Sequence, residues 1–111
     1  MFNIEQKNHG QITVWSLRGQ LDALTIGDMK PAIEELFSSQ VVQVVFDLEE
    51  LSLIDSSGIG TVVSVFKRAR AQGGDAKVAN LANQPGEVFR ILKLDKAIDV
   101  FDSVELALES F

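Results

Sequence analysis

VVQVVFDL, residues 41–48, leaves the chain fewer choices than any other stretch. Only Gln43 interrupts its apolar residues before Asp47. β-Branched side chains favour pleated backbone, and a run that is apolar at successive positions has no side to turn to water. Such a strand has to be covered on both faces. That puts it in the middle of a sheet, beside parallel strands whose crossover helices do the covering.

The flanking segments fit this frame. FNIEQK (2–7) and QITVWSLR (11–18) read as strands joined around His9-Gly10, a tight hairpin signal. The second mixes Ile12, Val14, Trp15 and Leu17, so both of its faces are expected to be partly covered. GQLDALTIGDMKPAIEELF then turns into a helix. Asp28 is its expected N-cap, which places Pro31 in the first turn where a missing N–H costs nothing. Ile33, Leu36 and Phe37 follow at helical spacing and should face the core.

After the central strand, Val62, Val63, Val65, Phe66 and Ala69 predict a helix that stops at Gly73-Gly74 with a left-handed turn. AKVANL (76–81) is the next strand, and PGEVFRILKL the next helix, with Pro85 in its first turn. IDVF (98–101) is a short last strand. In the closing helix, DSVELALESF, Asp102 and Glu105 form a capping-box pattern. Alternating strands and helices imply right-handed crossovers and parallel pairing, and the front hairpin makes the sheet mixed. No repeat, linker or low-complexity segment divides the chain. The expectation is one α/β domain over residues 1–111.

Composition narrows the function. The chain has no Cys, which removes disulfides, thiolate metal sites and Cys catalysis. No apolar run approaches the ~20 residues that span a bilayer. MFNIEQKNHG also lacks the basic start and apolar block of a secretory signal, so a cytoplasmic protein without membrane contact is expected. A net charge of −6 disfavours nucleic acid and points to a protein partner or a small ligand.

The chemistry concentrates in DSSGIG, residues 55–60, between the central strand and the next helix. In the simplest reading, Asp55, Ser56 or Ser57 caps the helix by accepting from its free N–H groups. A cap needs one such residue, and three stand in line. Gly58 and Gly60 each cost the helix about 1 kcal/mol relative to Ala. Glycines there would bare the helix end so that another molecule can approach the backbone.

Other chemistries fail on spacing. Val63 stands where the third glycine of a dinucleotide fingerprint belongs, and the acid that should follow the next strand is missing. No Gly-Lys-Ser/Thr forms a P-loop. His9, the lone histidine, is expected in a solvated turn and is no base for a serine nucleophile. No residues have metal-ligand spacing, and Asp47, Glu49 and Glu50 read as a solvated loop. No catalytic residue, metal or cofactor is expected. What remains is a serine hydroxyl as a substrate. A phosphate there would add about −1.5 to −2 charges where the helix N-terminus tolerates an anion.

At these residues the chain resembles a known family. DLEELSLIDSSGIGTVVSVFKRARAQGGDAKVANL is similar to the anti-sigma factor antagonists, bacterial proteins of the STAS domain family. LRGQLDALT upstream and VFRILKLDKAIDVFDSVELAL downstream resemble the same family in register. The resemblance implies a mixed sheet with helices packed largely on one side, and a partner-switching module rather than an enzyme. It implies that Ser56 is phosphorylated by a cognate anti-sigma factor, itself an ATP-dependent serine kinase. Asp55, Ser57, Gly58, Ile59 and Gly60 would shape the partner-binding loop. The unmodified form would bind that kinase and free a sigma factor, a PP2C-type phosphatase would reset it, and the free domain would be a monomer. A second reading stays open: a STAS domain that binds a small ligand, or a subunit of a secretion, phosphatase-cascade or lipid-transport complex.

Overall fold

The valine run lies at the centre of a five-stranded sheet. A computed structural model describes residues 1–111. The strands are β1 (Phe2–His9), β2 (Ile12–Leu21), β3 (Gln43–Ile54), β4 (Asp75–Ala79) and β5 (Val100–Phe101), in spatial order β1-β2-β3-β4-β5. The β1–β2 pair is antiparallel and every later pair is parallel. His9 pairs with Ile12 across a tight turn in which Gly10 takes a φ of +63°. Glycine adopts that angle without strain.

Register explains why β3 is apolar at successive positions. Val44 and Phe46 look to one face, and Val45 to the other, beside Val14 of β2. The first face carries a core of 18 buried residues under helices α1 (Lys30–Leu36), α2 (Ser56–Ala71) and α3 (Asn83–Ile91). The second carries a core of only 4, closed by α4 (Val104–Glu109) through Ala107. The helices are thus packed largely on one side. Val14 and Trp15 are both buried, each in a different core, so β2 is covered on both faces as its composition requires. Ile33, Leu36 and Phe37 pack half-buried against the larger core.

Four local expectations need correction. β3 runs on to Ile54, so Asp47, Glu49 and Glu50 belong to a strand and not to a loop. Its pairing with β2 slips twice, between Ser16 and Arg18 and between Gly19 and Gln20. These irregularities bury Leu48, Leu51 and Ile54 at intervals of three, which hides the two-residue period of a strand. Asp47 is half-buried, and its carboxylate accepts hydrogen bonds from Ser16 Oγ (3.1 Å) and Asn80 Nδ2 (2.9 Å).

Asp28 does not cap α1. It sits inside a 3₁₀ turn, Ile26–Met29, that leads into a helix whose N-cap, Met29, offers no side-chain oxygen. Pro31 does lie in the first turn. In α4 the cap is Ser103 and not Asp102: the Ser103 hydroxyl accepts from Leu106 N at 3.1 Å. At the end of α2 only Gly73 is left-handed, with a φ of +84°.

One buried charge has no counterpart in the sequence reading. Lys77 of β4 points into the smaller core, where Nζ donates to Ser110 Oγ (2.8 Å) and Ser110 O (3.1 Å) and lies 4.6 Å from the Phe111 ring centre. Burying an ammonium group is costly unless it is paired, so these contacts tie the end of α4 to the sheet.

Candidate functional site

β2 and β3 run parallel and finish together, with Leu21 opposite Ile54. Two chain segments therefore leave the same end of the sheet side by side. Beyond β2, LDALT folds into a turn held by its own polar side chains. The Asp22 carboxylate accepts from Leu24 N (2.9 Å) and Thr25 N (3.2 Å), and Thr25 Oγ1 donates to Gln20 O (2.8 Å). Asp and Thr compete well for local backbone groups, and here that competition makes a rigid bend. At its tip Leu24 is 92% exposed, an unusual place for an apolar side chain.

Beyond β3, Asp55 joins the two segments. Its Oδ1 accepts from Gly58 N at 3.0 Å, the N-cap bond of α2. Its Oδ2 accepts from Ala23 N at 3.2 Å, and its own N–H donates to Leu21 O at 3.2 Å. One carboxylate therefore caps the helix and fastens the neighbouring turn against it. With Asp55 as cap, the Ser56 hydroxyl is left free of that duty and stands exposed at the first helical position. Ser57 is half-buried. Both lie at the positive end of a sixteen-residue helix.

The rest of the motif splits into two sides. Gly58 and Ile59 are buried, and Ile59 belongs to the larger core. A Cβ on Gly58 would come within 2.4 Å of Leu21 O and 2.7 Å of Ile54 Cγ1. The expectation that both glycines bare the turn for a partner is therefore corrected. Gly58 is glycine because β2 and β3 press against the helix there. Gly60 faces outward, with nothing within 4 Å of the position a Cβ would take. Ser56 and Gly60 thus share the open side, next to the turn that Asp55 fastens through Ala23 N, while Gly58 and Ile59 serve the interior.

His9 is the last residue of β1, opposite Ile12 at the start of β2, and so lies at the far end of β2 from Ser56. Two contributors escaped the sequence reading. The Asp22–Thr25 turn carries a recognisable D-x-x-T signal. Gln84 of α3 carries none: its amide bonds both backbone groups of Ile54, thirty residues away in the chain. The widest concavity, about 730 Å³, lies between α3 and β5 and shares no lining residue with the 55–60 motif. No helix is long and apolar enough to cross a membrane.

Comparison with known proteins gives the site a context. The anti-sigma-B factor antagonist of Listeria monocytogenes is 27% identical over 97 residues, covering 87% of this chain and 84% of that protein. Among solved structures, an anti-sigma factor antagonist from Mycobacterium paratuberculosis superposes with a TM-score of 0.88 at 18% identity, covering 99% of this chain and 93% of the other. The Bacillus cell fate determinant SpoIIAA, solved in its phosphorylated form, superposes with a TM-score of 0.77 at 23% identity, covering 97% and 98%. The family model of the STAS domain matches residues 3–107, almost the full length of sheet and helices, and the chain belongs to the STAS domain family.

Proposed function

We propose that this chain is an anti-sigma factor antagonist of the bacterial cytoplasm, switched by phosphorylation of Ser56. The observation that carries the proposal is the division of labour at the start of α2. Asp55 caps the helix, so the Ser56 hydroxyl is exposed and uncommitted. The relatives' names support the antagonist role, and the phosphorylated form of SpoIIAA supports a phosphate on this fold.

The partner is a cognate anti-sigma factor with serine kinase activity. In the transfer, Ser56 Oγ forms a bond to the γ-phosphorus of ATP, the bond from that phosphorus to the ADP oxygen breaks, and the hydroxyl proton passes to a base on the kinase. The new phosphate lies against the N–H end of α2, where its charge is tolerated. The fold survives, and the open side of the turn changes from neutral to strongly anionic. A surface that packed against the kinase through Ser56, Gly60 and Leu24 then meets it with a desolvated dianion, and the complex dissociates. A PP2C-type phosphatase hydrolyses the ester and restores the binding form.

The test is phosphorylation by the cognate kinase and ATP, followed by intact mass. Wild type gains one phosphate, Ser56→Ala gains none, and Ser57→Ala is labelled nearly as well as wild type because Ser57 is half-buried where Ser56 is exposed. Undiminished labelling of Ser56→Ala would overturn the proposal.

A further inference from the structure

The end of β3 is supported unequally on its two edges. On one edge β2 accompanies it to the last residue, with Leu21 opposite Ile54. On the other, β4 pairs only as far as Asp47 opposite Ala79. Beyond that point β3 has no neighbouring strand on the β4 side, yet Ile54 is 1% exposed. Its peptide groups are closed off from water and need partners.

Gln84 supplies them. From the first turn of α3, its Nε2 donates to Ile54 O at 3.0 Å, and its Oε1 accepts from Ile54 N at 2.9 Å. A primary amide carries a donor and an acceptor side by side, as a peptide does, so one side chain does the work of a strand residue. Having both bonds fixes which end of the amide is which. Gln84 is half-buried, and Pro85 beside it is buried, which limits how the side chain can be re-aimed.

Ile54 stands two residues before Ser56. We infer that Gln84 is a positioning residue for phosphate acceptance: it holds the second edge of the β3–α2 junction and so fixes where the Ser56 hydroxyl is presented. This rests on the reading of Ser56 as the phosphoacceptor. Phosphoryl transfer is sensitive to such placement, because the reacting atoms have to sit about 3–3.5 Å apart and a misplacement of about 1 Å can cost roughly 100-fold in rate. Gln84 touches neither nucleotide nor reacting atoms. It acts through the backbone.

Gln84→Met keeps the bulk of the side chain and removes both hydrogen bonds. With the full-length chain, its cognate kinase and ATP, kcat for phosphorylation of Gln84→Met should fall by about tenfold or more while KM stays within about twofold. Its melting temperature should stay well above that of the assay, and amide exchange at Ile54 should accelerate. Gln84→Asn, one methylene too short to span both groups, should behave in the same way and serves if the Met variant folds poorly. Wild-type kcat in a folded Gln84→Met or Gln84→Asn would overturn the inference and leave Gln84 as a staple of α3. Continued labelling of Ser56→Ala would instead overturn the reading of Ser56, and the positioning role would fall with it.

Discussion

Gly58 and Gly60 lie two residues apart on the same helix and answer to different neighbours. Gly58 faces the ends of β2 and β3, where a methyl group would collide with the Leu21 carbonyl and the Ile54 side chain. Gly60 faces open space. The same residue type, in the same turn and at the same local cost in helix propensity, is packing on one side and bare surface on the other. A glycine in a motif therefore does not announce a docking site. The space a Cβ would enter decides which it is.

The largest expected effect breaks the inward side. Gly58→Ala drives a Cβ against backbone that cannot swing away, and overpacking of this kind costs about 1–3 kcal/mol. In a domain of this size each kcal/mol lowers the melting temperature by roughly 4–8 °C. A thermal melt checks it. A wild-type melting temperature would mean that α2 does not press on the strand ends as described.

The residue joining the two sides comes next. Asp55→Ala removes the N-cap of α2 and the bond to Ala23 N together, and loss of a cap costs about 0.5–2 kcal/mol. Unlike Gly58→Ala, it should also loosen the Leu24 turn, seen as faster amide exchange at Ala23. Unchanged exchange there would detach the turn from the helix cap.

The outward side should separate stability from binding. Gly60→Gln removes a helix-interior glycine, so the protein should melt at or above the wild-type temperature, by up to about 1 kcal/mol. In the proposed complex the added side chain would stand between the two surfaces, so calorimetric titration against the cognate kinase should show weakened affinity. Unchanged affinity would take Gly60 out of the contact surface.

The smallest effect on stability belongs to Ser56→Asp. A carboxylate at the helix N-terminus contributes about 0.3–1 kcal/mol of favourable interaction, so the variant should melt within a few degrees of wild type and yet fail to bind the kinase. An unfolded circular dichroism spectrum would mean that the proposed switch works by melting the domain.

Much of the molecule was legible without the fold. The valine run demanded a central strand, and the alternation of strand and helix patterns demanded parallel crossovers. Pro31, Gly73 and Pro85 marked helix ends by their own backbone preferences. Each of these signals is carried by residues a few positions apart, and local sterics act at that range. Resemblance to a family singled out Ser56 among three capping candidates. Composition alone could not.

The tertiary structure decided what depends on residues distant in the chain. The strand beyond Asp47 was unreadable because its register with β2 slips, and slips are set by the partner strand. The choice of Asp55 as cap follows from Ala23, which a carboxylate can hold with its second oxygen and a serine cannot. Gly58 is pinned by Leu21, Lys77 by the end of α4, and Ile54 by Gln84. In a parallel sheet each strand returns by way of a crossover, so residues that meet at the sheet's end lie about thirty positions apart. Periodicity is a property of one segment. The partners that fix a functional loop come from several.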